Sequence, residues 1–223
     1  MARRNNKRNN NEKNIIVKTI EQQSRRNPRP NFRARLSDDV SFITGNQYLA
    51  PPVVTATNTL GYGNLPLAPG NTGGFATSPV EAVANRYQNG LYLPGTRLDY
   101  IPAVGLSTKG TLAIAYIDSP TLMTRYFTLA PGAQLGFIQG LANVKTGPLW
   151  QPLTFPLPPN TRRKDYTVDN TITPTDTNEF DLAVQGIFLW VAYGLDAPSS
   201  NLTIGQMILH TKMRCRELVG YTQ

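Results

Sequence analysis

The chain has 223 residues with 22 Lys/Arg, 14 Asp/Glu, one His and one Cys, and a net charge of +8. One cysteine excludes an intramolecular disulfide and a cysteine metal cluster, and one histidine excludes a multi-histidine metal site. No apolar run reaches membrane-spanning length and the N-terminus lacks the apolar core of a secretory signal, so neither a membrane span nor secretion is expected.

The positive charge is concentrated at the start. Residues 1–36 carry eleven bases: Arg3, Arg4, Lys7, Arg8, Lys13, Lys18, Arg25, Arg26, Arg29, Arg33 and Arg35. Only Glu12 and Glu21 oppose them, giving +9, while residues 37–223 sum to −1. Between Met1 and Asn14 stand six Asn and no large apolar residue except Met1. Such a segment cannot build a core, and it predicts a disordered arm that binds polyanions by releasing their counterions. The eleven bases are therefore the expected RNA-binding residues, with a nuclear address or a plain solvated tail as alternatives. Asn14–Glu21 (NIIVKTIE) is the one stretch apolar enough for a short strand or helical turn. Asn27-Pro28-Arg29-Pro30 reads either as a stiff linker or as a segment that orders in an assembly.

Residues 37–223 fit one domain. Eighteen Pro and 18 Gly punctuate short apolar runs, at Pro51-Pro52, Pro69-Gly70, Gly73-Gly74 and Pro94-Gly95 among others, which predicts an all-β texture. A first strand is expected at Val53–Asn58. Ser78-Pro79-Val80-Glu81 is a capping box with Pro at the first helical position, and it predicts a helix to about Tyr87. Strands follow at Arg97–Ile101 and Thr111–Ile117, a second short helix at Pro120–Arg125, and a strand at Trp150–Phe155. Ile187–Gly194 opens IFLWVAY, apolar on both faces, so it reads as a central strand covered twice, with Trp190 in the core. The cover is either a second sheet or a neighbouring subunit. In Gly205–Glu217, Met207, Leu209, Thr211, Met213 and Cys215 alternate with Gln206, Ile208, His210, Lys212, Arg214 and Arg216. Alternation over this length marks a long strand with one face on a core. His210 then lies beside Lys212 and Arg214, a poor setting for a general base, and reads as a surface or interface residue.

Several pieces resemble the shell domain of small plant-type RNA virus capsid proteins, the tombusvirus and sobemovirus group. They are the turn Pro69-Gly70-Asn71, the helix Pro79–Tyr87, Tyr100-Ile101-Pro102, Ser107-Thr108-Lys109-Gly110 and Tyr116-Ile117-Asp118. Pro148–Leu153 resembles the Trp-containing strand of that group. Gly186–Gly194 with Ile204–Met207 resembles its last two strands. The likeness spans 37–223, with the basic arm ahead of it. It implies an eight-stranded jelly-roll sandwich with one or two short helices. It also implies an icosahedral shell of identical capsid subunits, often T=3, enclosing viral RNA. Such a protein resides in the virion, and in the host cytoplasm during assembly. A protruding domain of the larger relatives is not expected after Gln223.

The resemblance also implies Ca²⁺ between subunits, through two carboxylates after the Tyr-x-Asp strand. Here Asp118 is followed by Ser119, Pro120 and Thr121, so the second carboxylate is missing. Asp118 reads either as a metal ligand completed by Asp165, Asp169 or a neighbour, or as a turn residue before Pro120. Arg162-Arg163-Lys164 is a second basic spot, facing RNA or simply solvated. The stripe Lys212, Arg214, Arg216 must meet acids of a neighbour, RNA or water. A cellular RNA-binding β-sandwich with a basic tail is the alternative function. An enzyme is not expected, because one His and scattered Asp cannot furnish a jelly-roll metal centre.

Overall fold

The computed structural model describes residues 33–35, 40–71, 78–161, 163–168 and 177–219. Asn14–Glu21, Asn27–Pro30, Gly73-Gly74, Arg162 and Asp169, for which the sequence carries expectations, lie outside them. The described elements are β1 (Arg33–Arg35), β2 (Val40–Tyr48), β3 (Val53–Val54), β4 (Gly61–Pro66), α1 (Pro79–Ala84), β5 (Tyr87–Tyr92), β6 (Arg97–Pro102) and β7 (Thr111–Ile117). Then follow α2 (Pro120–Thr128), α3 (Pro131–Gln139), β8 (Lys145–Pro148), β9 (Leu153–Pro156), β10 (Tyr166–Thr167), α4 (Thr177–Ala183), β11 (Ile187–Tyr193), β12 (Leu202–Thr203) and β13 (Gly205–Leu218).

Two antiparallel sheets face each other. In the larger, β13 is central: β2 lies along one side, and β5 and β6 share the other in succession. β1 extends the β2 edge, β9 pairs with β6 and β10 with β5. The smaller sheet runs β4-β11-β7-β8. Taking β5 and β6 as one interrupted strand, eight principal strands make a jelly roll, as expected.

The interruption corrects the reading of Pro94-Gly95 as a turn between strands. Tyr92 pairs with Met213 and Arg97 with His210, so four residues of one strand oppose two of β13. This is an enlarged bulge, with Gly95 at φ +98. Thr96 repairs the ladder there: its hydroxyl donates to the Lys212 carbonyl at 3.0 Å and accepts from the Lys212 amide at 3.1 Å.

β11 is buried on both faces, and the chain itself supplies both covers. Phe188 points between the sheets, into a core with Ile43, Leu98, Tyr100, Ile114 and Leu209. Ile187, Leu189 and Val191 point the other way, against Met123, Tyr126, Ile138 and Phe180 from α2, α3 and α4. Trp190 is half-buried against the inter-sheet core rather than inside it, which corrects the sequence expectation. Its indole fills the space that a side chain at Gly63 would occupy, so an edge-strand glycine and a bulky partner are matched.

The Tyr and Gly of the motifs that carried the resemblance hold loops in place. Tyr100 Oη lies 2.8 Å from the Leu149 carbonyl and 2.7 Å from the Ile204 carbonyl, joining two loops to β6. A Cβ on Gly205 would strike the Tyr100 ring, and a Cβ on Gly186 would strike the Tyr116 hydroxyl and ring. Tyr116 packs on Phe188 with centroids 5.1 Å apart. Gly186→Ala should therefore lower stability by about 1–3 kcal/mol, the cost of forcing an extra carbon into a filled core. A denaturant midpoint unchanged from wild type would show that the Tyr116 ring moves aside freely.

Other boundaries differ in ways with local causes. The strand expected at Val53–Asn58 stops at Val54, and the first helix ends at Ala84 because Tyr87 enters β5. Trp150 lies in a turn closed by a 3.0 Å bond from the Gln151 amide to the Pro148 carbonyl, so the expected Trp150–Phe155 strand begins at Leu153. The second helix runs past Arg125 to Thr128.

Candidate nucleic-acid interface

Of the eleven arm bases, Arg3, Arg4, Lys7, Arg8, Lys13, Lys18, Arg25, Arg26 and Arg29 lie outside the described residues. Arg33 and Arg35 belong to β1, opposite Thr44 and Phe42 of β2. The expected arm of 1–36 thus reaches into a strand of the large sheet. That strand leads the chain onto the sheet's edge.

The basic stripe of β13 lies on the sheet face turned away from the core, as its alternation requires. Lys212 is exposed, Arg214 and Arg216 are half-buried, and Met213 and Cys215 are buried between them. Sequence left the counter-charge of Arg214 and Arg216 open. Their own chain provides it: Asp165 sits between them, its carboxylate oxygens 2.8 Å from Arg214 Nη2 and 3.0 Å from Arg216 Nη1. Two guanidinium groups sharing one carboxylate leave net positive charge there. Among the described residues no acid pairs with Lys212.

The Arg163-Lys164 spot is likewise occupied within the chain. Arg163 donates to the Pro159 carbonyl at 2.8 Å, and Lys164 pairs with Asp181 of α4 while lying over the Tyr166 ring. These bonds brace a loop from within the chain, which is neither of the two sequence alternatives for Arg163 and Lys164.

His210 lies on the same face as Lys212 and is half-buried. Its Nε2 is 2.7 Å from Asp99 Oδ2 and its Nδ1 is 2.8 Å from Asn46 Oδ1. Sequence reading missed both partners. Burial and the nearby Arg97 hold the imidazole below its usual value of 6.5, against the pull of Asp99. Cys215 faces the core, where burial, reinforced by Glu81, pushes its thiol up to about 12. It stays protonated and is a poor nucleophile.

Asp118 follows β7 and immediately precedes Ser119, the N-cap of α2. Among the described residues no three His, Cys, Asp or Glu side chains converge as a metal site. Asp165, which sequence offered as a completing ligand, is held by two arginines. Among the described residues Asp118 therefore stands in no group of three such side chains, against the six to eight oxygens that a calcium ion takes. No described helix is long and apolar enough to cross a membrane.

Comparison with solved structures agrees with this architecture. Tobacco necrosis virus superposes with a TM-score of 0.68 at 13% identity, covering 86% of this chain and 90% of that one. A mud crab tombus-like virus gives 0.65 at 11% identity, over 92% and 98%. The fold is that of a viral shell protein. A T=1 subviral particle of a Penaeus vannamei nodavirus capsid-protein deletion mutant gives 0.60 at 13% identity, over 84% and 98%. No family model and no curated protein matches the sequence. The likeness is one of shared fold along most of the chain.

Proposed function

We propose that this chain is the structural subunit of a non-enveloped icosahedral virus, assembling with identical copies into a shell and packaging the genomic RNA through its basic arm. One observation carries the reading. A jelly roll that superposes on shell proteins over nearly its full length is preceded by an arm holding half of the chain's bases. The division of charge fits the division of labour: a near-neutral body can pack against copies of itself without strong mutual repulsion, while the arm supplies counter-charge for RNA. Arg and Lys without interleaved aromatics read phosphate rather than base, so arm contacts should be largely independent of sequence. The reading extends to an icosahedral shell, often T=3 in the group that the sequence resembles, located in the virion and assembled in the host cytoplasm.

Size-exclusion of the full-length protein, with electron microscopy of the excluded fraction, tests this. A megadalton isometric particle absorbing as nucleoprotein is the expected result. A small oligomer that binds RNA would instead identify a cellular RNA-binding β-sandwich.

Calcium binding at Asp118 would need carboxylates from beyond the described residues, from Asp169 or a second copy. The expected behaviour follows from the poor fit among the described residues. At pH 8 the particle radius measured by light scattering should not change when a chelator is added, in wild type or in Asp118→Asn. Swelling of wild type alone would show that Asp118 does hold a metal, because stripping the ion leaves like charges facing each other. Equal swelling of both would put the ion elsewhere.

A further inference from the structure

His210 bridges three strands at the middle of the large sheet's outer face. On β13 it stands opposite Asn46 of β2 and opposite Arg97 of β6. The ring reaches across β6 to Asp99, whose carboxylate also accepts from Arg97 Nε at 3.2–3.3 Å. Thr44 and Tyr48 flank Asn46 on the same face of β2, Ile208 and Lys212 flank His210 along β13, and Thr154 and Pro156 of β9 stand opposite Asp99 and Arg97. The charged groups around the ring among the described residues are therefore Asp99, Arg97 and Lys212, with the Tyr48 phenol as the other titratable group.

The two atoms facing the ring nitrogens differ in kind. Asp99 can only accept, so Nε2 must carry a hydrogen in either charge state. Asn46 can present either its oxygen or its NH₂ in the same place after a half-turn of the carboxamide. With Nδ1 bare, the NH₂ faces it and donates. With Nδ1 protonated, the oxygen faces it and accepts, at the 2.8 Å separation observed. Both states are fully hydrogen-bonded, and they differ by one proton and one amide rotation.

We propose that His210 is a proton-operated switch in this sheet face: uptake of one proton from solvent at Nδ1 turns the Asn46 carboxamide over and adds a positive charge between Arg97 and Lys212, while the bridge from β2 through β13 to β6 stays closed. The face that already carries Lys212, Arg214 and Arg216 thus becomes more cationic on mild acidification. The position of the switch follows from its surroundings. Burial and Arg97 oppose the charged ring more than Asp99 favours it, so the ring is neutral near pH 7. An unfolded histidine takes its proton near 6.5, before the folded one does. Stability from this site is therefore complete above about pH 6.5 and declines as pH falls below it.

The chain has one histidine, so its titration carries no overlap. Full-length protein with only histidine ¹⁵N-labelled, sedimented for magic-angle-spinning NMR, reports the charge and the tautomer directly. The expected spectrum at pH 7.5 is a neutral ring with hydrogen on Nε2, and a midpoint below 6.5. Asp99→Asn should move the midpoint down by about one pH unit, and Arg97→Gln should move it up. Asn46→Asp, which can only accept at Nδ1, should hold the ring charged above pH 6.5. A ring already charged at pH 7.5, a neutral ring with hydrogen on Nδ1, or a midpoint that none of these substitutions moves would each overturn the proposal.

Discussion

Removing Met1–Asn31 should abolish packaging of full-length RNA while leaving a folded, shell-competent body. The cut is chosen from the structure: it falls at the boundary between two compact units, 1–31 and 32–223, and spares β1 at Arg33–Arg35, which pairs with β2. A deletion through Arg35 would remove that edge strand together with the charge and confound the two effects. The segment removed holds nine bases and two acids, so what remains is almost neutral. If all nine bases meet phosphates of single-stranded RNA, the logarithmic salt slope of binding is about −6, because each neutralised phosphate contributes about −0.7. Affinity of the intact protein should then fall on the order of 10³–10⁵-fold between 50 and 200 mM salt, and the truncated protein should show little of that dependence. Empty or smaller shells are the expected product, because the counter-charge that recruits RNA has gone while the body remains. Filter binding across a salt series and the absorbance ratio of purified particles measure both effects. Full-length RNA packaged as well by the truncated protein as by the intact one would remove the arm from its assigned role.

The elements readable in the sequence are those whose burial follows a simple period. β13 alternates over its length, β7 and β11 are continuous apolar runs, and each was placed within a residue or two. β2, β4 and β5 were not readable. β4 is GYGNLP, whose glycines, Asn and Pro spell a turn; it becomes a strand because β11 offers a full ladder and Gly63 leaves room for Trp190. α3, PGAQLGFIQ, hides in the same way behind two glycines. The interface divides along a similar line. A run of like charge is visible without a fold, so the charge of the arm could be read residue by residue, and its role is a proposal. The partners of Arg214, Arg216 and His210 could not, because Asp165, Asp99 and Asn46 arrive from 49 to 164 residues away and depend on strand register.

Glu81→Ala should be among the most damaging single substitutions in the body, and Ser78→Ala a mild one. Sequence treats the two residues as equal halves of a capping box. The structure gives them unequal work. Ser78 does cap α1, its hydroxyl accepting from the Glu81 amide at 3.2 Å, and loss of such a cap costs about 1 kcal/mol. The Glu81 side chain is fully buried and turned into the core. Its Oε2 accepts from the Gly70 amide at 2.6 Å, and its Oε1 accepts from Gln47 Nε2 at 2.8 Å and from the Tyr92 hydroxyl at 3.2 Å. One carboxylate thus ties the turn at Ala68–Asn71, β2 and β5 to α1. Alanine would leave those three donors in the core without this acceptor, at about 1–3 kcal/mol each and less than additively. We expect a total of about 4 kcal/mol, which for a domain of this size lowers the thermal midpoint by roughly 8–16 °C. Glu81→Gln should cost less, because Gln47 can turn its amide and present Oε1, which is buried without a partner, to the new NH₂ group. Thermal unfolding of the full chain, followed by circular dichroism, ranks the three variants. Should Glu81→Ala prove too unstable to purify, the order of Glu81→Gln against Ser78→Ala still decides. A Glu81→Ala protein within about 0.5 kcal/mol of wild type, or one no worse than Ser78→Ala, would reduce Glu81 to a helix cap.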